Sequence, residues 1–457
     1  MNNREQWGSR LGFILAASGS AVGLGNIWKF PSMAGENGGA AFTLVYLICI
    51  LLVGLPIVIA EFVIGRKTQL SPVGAFSSLA PKTNWKWVGV LGVASAFVIL
   101  SFYGVVGGWT LRYTFMSMTG TFNNLSSNPE LSNQVFTDFI TSPVNPVFWQ
   151  MAFMGFTMFV IIQGVKGGIE KWTKIMMPAI LLILLMLMIR GLTLPNGSKA
   201  LEFLFQPKFR DLTSSSIVLA LGHAFFTLSL GMGTMITYGS YLKKDQNLLT
   251  SALWIILLDT LIAMMAGTAI FAAVFAMGAN PSEGAGLIFV VLPTIFPAIQ
   301  LGSLWGTLFF FLLFLAALTS AISILEVITA YFIDQKGWTR IKATALFGTL
   351  ITIVGVFCSL SNGIFNDFSY LFDKSFMDML DIISSKYMLP IGGLLTGLFI
   401  LFRWGVPNLI LELNVGMDNK INSVQLISIL FIISVIVVGF IIVNELKDII
   451  TGIPFVG

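Results

Sequence analysis

Charged residues are scarce in this chain of 457 residues. Only 10% of the residues are Asp, Glu, Lys or Arg, against about 25% in a typical soluble domain, while 56% are hydrophobic. The mean hydropathy is +0.89. These values exclude an ordinary soluble enzyme and place nearly the whole chain in a lipid bilayer.

Reactive side chains are scarce as well. The single histidine, His223, excludes a multi-histidine metal cluster, and no glycine-rich loop of the GxxxxGKS or GxxxxGKT type is present to hold ATP phosphates. No nucleophile has a base beside it, so we expect neither an enzyme nor an organic cofactor. Cys49 and Cys358 lie in apolar runs and are expected to be buried thiols. The net charge of +4 is attributed to membrane topology, and no nucleic acid partner is expected.

Apolar stretches of about 20 residues, each long enough to span a bilayer, recur along the chain. They predict an all-α polytopic membrane protein with eleven spans and one transmembrane domain, 1–457. The predicted spans are 8–34, 38–66, 86–118, 147–164, 173–191, 214–240, 248–279, 301–334, 343–360, 377–402 and 421–446. Basic residues concentrate in cytoplasmic loops. We therefore expect a multi-pass protein of the cell membrane with a cytoplasmic N-terminus and an extracellular C-terminus.

Two of the predicted spans contain a Gly-x-Gly pattern near the middle: GSAVGLGN at 19–26 in the first and TLSLGMGT at 227–234 in the sixth. Glycine within a helix costs about 1 kcal/mol relative to alanine and favours unwinding, and the freed backbone groups must face protein, water or a ligand. Either pattern taken singly is also explained by close helix packing. Because they lie five spans apart, together they predict inverted five-helix repeats, 8–191 and 214–403, with an additional helix at 421–446. Matching interruptions of this kind indicate a binding site near the membrane midplane.

Four motifs follow one another in the sequence: WGSRLGFILAASGSAVGLGNIWKFP, ENGGAAF, FFTLSLGMGTMITYGSY and LAALTSAIS. In these motifs the chain resembles the neurotransmitter:sodium symporter family, bacterial eleven-helix type. The resemblance implies sodium-driven import of an amino acid, with alternating access around the two broken helices. It also implies two bound sodium ions, and it leaves the oligomeric state open.

The resemblance implies the ligands of both sodium ions. The first site would consist of Ala21, Asn26, Thr227 and Asp259, and the second of Gly19, Val22, Ala316, Thr319 and Ser320. Carbonyls, hydroxyls and a carboxylate suit a hard cation such as sodium. Because Thr and Ser in helices more often bond to their own preceding turn, the Thr-Ser pair is informative only within its surrounding motif.

Asp259 is the most informative acidic residue. It lies in the apolar run ALWIILLDTLIAMMAG, where an unpaired charge would cost at least about 2.5 to 3.5 kcal/mol, and sodium is its natural partner. Many animal members of the family have Asn at this position and Ser four residues later, where this chain has Ala263. His223 replaces the usual chloride-site Gln, although Tyr46 is kept. We therefore expect chloride-independent transport and a neutral, hydrogen-bonded His223.

The resemblance places an amino acid between the two interruptions. Its carboxylate would meet the first sodium ion and the start of a half-helix, and its amino group would meet the end of another. The residues implied for these groups are Ala21, Leu24, Gly25, Tyr103, Phe226 and Ser229. The residues implied for the side-chain pocket are Ser20, Ile99, Met232, Ser320 and Ile324. Since none is charged, we expect a hydrophobic or aromatic substrate.

Two gates are also implied by the resemblance. The outer gate would consist of Lys29, Asp381, Tyr103 and Phe226, and the inner gate of Arg4, Trp7, Ser240, Tyr241 and Asp334. The common family residue at the position of Lys29 is Arg. Because lysine is a point charge without the two-pronged geometry of arginine, we expect a looser, water-bridged contact with Asp381.

Three charged residues within apolar runs have no assigned transport role. Glu61 and Glu326 are expected to form structural bonds with the backbone or neighbouring helices, and Lys386 has no explanation. The alternative function is a non-transporting amino-acid sensor of the same fold. Because sensors normally carry a signalling domain, for which this chain has no room, transport is preferred.

Overall fold

The computed structural model describes residues 4–126, 128–282, 286–366 and 374–451. Within these ranges every regular element is a helix. Nine of the described helices are long and apolar enough to cross a membrane, and ten spans result if one bent pair is counted as a single span. The prediction of a polytopic, all-helical membrane protein is therefore confirmed. The sixth predicted span, 214–240, is divided between two helices that are individually too short to be counted.

The helices follow the predicted spans, with short helices in the connections. In chain order they are α1 (Arg10–Ala21), α2 (Gly25–Glu36), α3 (Ala40–Thr68), α4 (Pro72–Leu79), α5 (Lys86–Met118), α6 (Pro129–Thr141), α7 (Asn145–Ile162), α8 (Val165–Leu192), α9 (Lys199–Phe205), α10 (Ser214–Thr227), α11 (Thr234–Gly239), α12 (Leu248–Ala276), α13 (Leu287–Ala298), α14 (Gly302–Lys336), α15 (Arg340–Leu360), α16 (Phe376–Trp404), α17 (Val406–Leu413) and α18 (Val424–Thr451). The connecting helices α4, α6, α9, α13 and α17 were not predicted, because a search for apolar runs of about 20 residues does not detect them.

Several helices begin at a polar side chain. Ser9, Asn247, Thr339 and Ser375 precede α1, α12, α15 and α16, and each accepts a hydrogen bond from the amide three residues further on, at 3.0 to 3.3 Å. The first amides of a helix have no intrahelical acceptor, and Ser, Thr and Asn are favoured at this position because they supply one. These caps therefore define where the spans start.

Two interruptions depart from this regular pattern. α1 and α2 meet at an angle of 48°, and Val22 between them has an extended backbone (φ −74°, ψ 99°). α10 and α11 are separated by residues 228–233, in which Ser229, Gly231 and Gly233 have φ values of 53°, 79° and 78°. Positive φ is readily adopted by glycine and is costly for other residues. The two glycines permit this turn, and Ser229 is strained within it.

α14 lies at the centre of the bundle and α18 at its edge. In the most apolar 18-residue window of each, 89% of α14 is buried, but only 28% of Val424–Asn444. α14 packs against α1, α5 and α8. The first interruption therefore lies against the most enclosed of the described candidate membrane spans.

Candidate ion and substrate site

The two interruptions contact each other inside the bundle. Ser229 Oγ donates to the Ser20 carbonyl at 3.0 Å and accepts from Ser20 Oγ at 3.3 Å. A Cβ atom at Gly25 would lie 3.3 Å from the ring of Phe226. The irregular backbone of each interruption is thus surrounded by protein, as a membrane interior requires.

Asn26, Thr227 and Asp259 form one buried polar cluster. Asn26 Nδ2 donates to Asp259 Oδ1 at 2.7 Å, and Thr227 Oγ1 donates to the same oxygen at 3.0 Å. The second carboxylate oxygen, Asp259 Oδ2, has no hydrogen-bond partner among the described residues. The structure brings together three residues predicted for the first sodium site, and the fourth, Ala21, lines a cavity beside Thr227.

A second cluster joins the first interruption to α14. Thr319 Oγ1 lies 3.0 Å from the Ala316 carbonyl and 3.4 Å from the Val22 carbonyl. Ser320 Oγ lies 3.4 Å from the Val22 carbonyl and 3.5 Å from the Gly19 carbonyl. All five residues predicted for the second sodium site therefore lie together. Three carbonyls and two hydroxyls form a neutral oxygen set of the kind that hard cations prefer.

A cavity of about 280 Å³ lies at the interruptions. Its lining residues are Ser20, Ala21, Gly23, Gly25, Tyr103, Phe226, Thr227, Ser229, Met232, Ser320 and Ile324. This set includes every residue predicted to bind substrate except Leu24 and Ile99. The Leu24 amide donates to the Tyr103 hydroxyl at 3.2 Å, and its side chain lines a different cavity. Ile99 is buried and does not reach the cavity lining.

Two residues near the cavity were given no site role by the sequence analysis, although Gly23 belongs to the first Gly-x-Gly pattern. A Cβ atom at Gly23 would lie 2.8 Å from the Tyr103 hydroxyl and closer still to Ser320 Oγ, so glycine keeps the cavity open. Ser323 Oγ is 2.7 Å from Ser20 Oγ. Its position three residues after Ser320, on the same helix face, was a signal that could have identified it.

The cavity wall combines hydroxyls with apolar groups. Ser20, Ser229 and Tyr103 contribute hydroxyls, while Met232 and Ile324 contribute apolar surface. The described lining contains no Asp, Glu, Lys or Arg. Such a wall accommodates an uncharged side chain, because a charged one would be buried without a partner.

On one side of the cavity, Lys29 and Asp381 form an ion pair. Lys29 Nζ lies 3.0 Å from Asp381 Oδ1 and 3.3 Å from Oδ2, and 4.1 Å from the centre of the Phe226 ring. Lys29, Asp381, Phe226 and Tyr103 are called the Lys29 gate below. The expectation of a water-bridged contact was wrong: the flexible lysine side chain reaches Asp381 directly. A vestibule of about 930 Å³ beyond the pair shares all four of these residues.

On the N-terminal side, Arg4 pairs with Asp334. Arg4 Nη1 lies 2.5 and 2.6 Å from the two Asp334 oxygens, and Arg4 also donates to Ser240 Oγ at 2.6 Å. Trp7 Nε1 donates to the Tyr238 carbonyl, and the Trp7 amide donates to the Tyr241 carbonyl at 3.1 Å. The residues predicted for the inner gate, namely Arg4, Trp7, Ser240, Tyr241 and Asp334, are therefore together, and we call them the Arg4 gate.

A buried ionic network adjoins the Arg4 gate. Tyr241 Oη donates to Glu326 at 2.6 Å, and Arg340 binds the same carboxylate at 2.6 and 3.0 Å. Arg340 also donates to Glu5 at 2.8 Å. Glu326 thus forms the structural bonds that were predicted for it. The sequence analysis did not identify Arg340 as a partner of Glu326, because the two residues belong to different helices, α15 and α14.

Three other polar residues are now accounted for in part. Glu61 Oε1 accepts a hydrogen bond from the Gly231 amide at 2.8 Å, which stabilises the turn between α10 and α11. This is a structural bond to the backbone, as predicted. His223 packs on Phe30 and Tyr46, but neither ring nitrogen has a hydrogen-bond partner in the described part of the chain. The expectation of a hydrogen-bonded histidine was therefore wrong, because aromatic rings surround it. Lys386 lines a neighbouring cavity with His223.

Comparison with known proteins shows which family the chain belongs to. The model of the sodium:neurotransmitter symporter family matches residues 4–140 and 136–451. An uncharacterized sodium-dependent transporter of Bacillus subtilis, YhdH, is 42% identical over 411 residues, which cover 90% of each chain. A sodium-dependent serotonin transporter of Drosophila melanogaster is 27% identical over 405 residues, covering 78% of this chain and 64% of that protein.

Among solved structures, the crystal structure of MhsT in complex with L-phenylalanine superimposes with a TM-score of 0.87. It is 46% identical, and the match covers 96% of this chain and 98% of MhsT. The similarity therefore extends over nearly the whole fold. The chain belongs to the sodium:neurotransmitter symporter family of sodium-dependent membrane transporters.

Proposed function

We propose that this protein is a sodium-coupled symporter that imports hydrophobic or aromatic L-amino acids by alternating access. The observation that carries this proposal is the buried carboxylate of Asp259. Its Oδ1 accepts a hydrogen bond from Thr227, which lines the cavity, and its Oδ2 has no hydrogen-bond partner among the described residues. A buried carboxylate requires a compensating charge. A sodium ion supplies that charge and, at this position, is also able to meet a substrate carboxylate.

The two polar clusters divide the ion binding between them. The first would use Ala21, Asn26, Thr227 and Asp259, so that it depends on a negative charge. The second would use Gly19, Val22, Ala316, Thr319 and Ser320, all neutral oxygen donors, and would hold the C-terminal end of α1 against α14. A sodium ion at the first cluster would contact the substrate directly. A sodium ion at the second cluster would act on transport by holding α1 in position.

The substrate backbone would be held by the interruptions. Its carboxylate would lie between the first sodium ion, the Tyr103 hydroxyl and the amides at Leu24 and Gly25, where α2 begins and negative charge is favoured. The Leu24 amide already donates to Tyr103 Oη, so the two donors are adjacent. Carbonyls near Ala21, Phe226 and Ser229 would receive the ammonium group.

The substrate side chain would enter between Met232 and Ile324. A cavity without charged lining favours an uncharged, apolar side chain. The complex of MhsT with L-phenylalanine, a similar protein, supports this substrate class. Ile99 would act only as packing behind the wall.

Alternating access would use the two gates in turn. The ion pairs Lys29–Asp381 and Arg4–Asp334 are both formed in this structure, which is the arrangement expected if both gates are closed. We propose that the N-terminus and the Arg4 gate are cytoplasmic, and that the Lys29 gate and the C-terminus are extracellular. α10 with α11 would form the sixth of eleven spans, 8–191 and 214–403 the inverted repeats, and 421–446 the added span.

Transport is proposed to be independent of chloride. Asp259 supplies a permanent negative charge beside the first sodium site, and Ala263 offers no hydroxyl to an anion. Replacing chloride by gluconate at constant sodium should leave the initial uptake rate unchanged. Loss of uptake in gluconate would contradict this part of the proposal.

The decisive experiment is uptake of labelled amino acids into proteoliposomes with and without an inward sodium gradient. We expect accumulation of hydrophobic and aromatic amino acids only with the gradient. Asp259→Asn should abolish this accumulation, whereas Asp138→Asn, a change at an exposed residue of α6, should not. Saturable binding without sodium-driven accumulation would instead favour a sensor.

A further inference from the structure

The starts of α1 and α8 are joined through two glutamates. Glu170, in the second turn of α8, accepts from the Gly8 amide at 2.6 Å and from Ser9 Oγ at 2.9 Å. Glu5, in the segment before α1, accepts at 2.8 Å from the amide of Val165, the first residue of α8. Each helix start therefore receives a carboxylate from the other segment. We call these two contacts the reciprocal caps.

The cap formed by Glu170 is the more enclosed of the two. Its side chain is 3% exposed, against 46% for Glu5. The start of a helix carries partial positive charge. Glu170 lies beside this end of α1, bonded to the amide of Gly8 and to the hydroxyl of the N-cap residue Ser9, so its negative charge is favoured there. Lys174 Nζ, 2.6 Å from Glu170 Oε1, balances the charge. Glu170 is thus a satisfied buried anion whose partners are the start of α1 and one lysine.

Two glycines make room for Glu170 on α1. A Cβ atom at Gly12 would collide with the carboxyl group and Cγ of Glu170, and a Cβ atom at Gly8 would lie 3.1 Å from Glu170 Oε2. Gly8 and Gly12 are four residues apart and lie on one side of the helix start. The motif WGSRLGF therefore contains a glycine surface onto which Glu170 fits.

α1 is thereby held at both ends. Its C-terminal end contacts Thr319 and Ser320 of α14 through the Gly19 and Val22 carbonyls. Its N-terminal end contacts α8 through Glu170. The described structure places neither Arg4 nor Asp334 in contact with Glu170, so the Glu170 cap is a separate attachment of the same helix. Glu5 of the other cap also bonds to Arg340, in the ionic network beside the Arg4 gate.

We propose that Glu170 is a positioning residue for the N-terminal side of the transporter: it holds the start of α1 on α8, and the two reciprocal caps break together when α1 moves. This inference rests on the proposed alternating access. When sodium leaves the second site, the start of α1 would still be held by Glu170 and, through the segment before it, by the Arg4 gate. Loss of Glu170 should therefore make closure of the Arg4 gate more dependent on sodium.

The test uses a single reactive cysteine on the N-terminal side. Thr237, buried one turn before Tyr241, is replaced by Cys after Cys49 and Cys358 are changed to Ala. Maleimide labelling of the purified protein is measured over a sodium titration. Glu170→Gln should raise the rate of maleimide labelling in the absence of sodium on the order of tenfold. It should raise the sodium concentration that gives half-maximal protection by a similar factor.

Matched variants distinguish the specific loss of the Glu170 cap from a general loss of protein stability. Gly12→Ala should reproduce the effect of Glu170→Gln, because the methyl group displaces the same carboxylate without removing its charge. Glu202→Gln, a change at an exposed residue of α9, should have no effect. Glu5→Gln combined with Glu170→Gln should give less than the product of the two single effects, because either break already releases the other cap.

Two results would overturn the proposal. One is a labelling curve for Glu170→Gln that coincides with that of Glu202→Gln, and the other is a double variant whose effect equals the product of the single effects. Failure of the transport proposal is recognised separately, since the wild type would then show neither sodium-driven uptake nor protection by sodium. Even in that case, comparing the labelling rates of the wild type and Glu170→Gln without sodium tests whether Glu170 holds the start of α1 on α8.

Discussion

The ion pairs of the two proposed gates are enclosed to different degrees. Among the described residues, the Lys29 gate has one ion pair, whose side chains are 22% and 36% exposed, and one added hydrogen bond, from Ser385 Oγ to Asp381 at 2.7 Å. In the Arg4 gate the paired side chains are 14% and 9% exposed, and Ser240, Trp7 and the Ser71 amide add hydrogen bonds. Exposed ion pairs contribute little, whereas removing one partner of an enclosed pair leaves a costly charge. The Lys29 gate is therefore the weaker of the two closures.

The largest effect is expected at the Arg4 gate. Asp334→Asn removes the counter-charge of Arg4 and the anionic acceptor of the Ser71 amide. The variant should lose about 3 kcal/mol of the free energy that stabilises the closed Arg4 gate. The ratio of open to closed gate should therefore increase on the order of 100-fold. Faster labelling of a cysteine at Thr237 measures this shift. Asp245→Asn, at an exposed residue on the same side, is the control, and equal labelling of the two variants would contradict the comparison.

A smaller effect is expected at the Lys29 gate. Asp381→Asn weakens a partly exposed pair worth about 1 kcal/mol or less, so release of labelled substrate toward the vestibule should accelerate by about fivefold or less. Asp378→Asn changes a neighbouring exposed carboxylate of the vestibule and should leave release unchanged. If Asp381→Asn accelerated release on the order of 100-fold, as large as the shift expected for Asp334→Asn at the Arg4 gate, the two gates would not differ as proposed.

The smallest effect is expected from Lys29→Arg. A planar guanidinium is able to bind both Asp381 oxygens at once and to stack on Phe226, which should slow substrate release by about twofold. Lys29→Gln, which keeps the length but removes the charge, should have the opposite sign. Faster release in Lys29→Arg would show that the lysine geometry, and not the charge, maintains this gate.

The sequence predicted the regular parts of the fold well. The span 86–118 coincides with α5, and the interruption expected at 227–234 contains the observed turn at 228–233. Apolar runs and glycine patterns are local properties, so they can be read without a partner. The short helices α4 and α13 were missed because they are too short to give an apolar signal of membrane length.

Local sequence patterns predicted only part of the candidate site. The residues of both polar clusters were identified through motifs, and the structure places them together. Gly23 and Ser323 were missed, although each belongs to a motif that had been quoted, because their importance depends on a contact with another helix. His223 was expected to be hydrogen-bonded, but Phe30 and Tyr46 occupy its surroundings.

The sequence by itself determined that this is a helical membrane protein with two interrupted segments and a family resemblance carried by them, because hydropathy and glycine spacing act over a few turns. Only the tertiary structure decided which charges meet. Arg4 and Asp334 are 330 positions apart, and Gly8 and Glu170 are 162 apart. In a lipid bilayer a polar group must find its partner within the protein, so its role depends on which helices lie beside it.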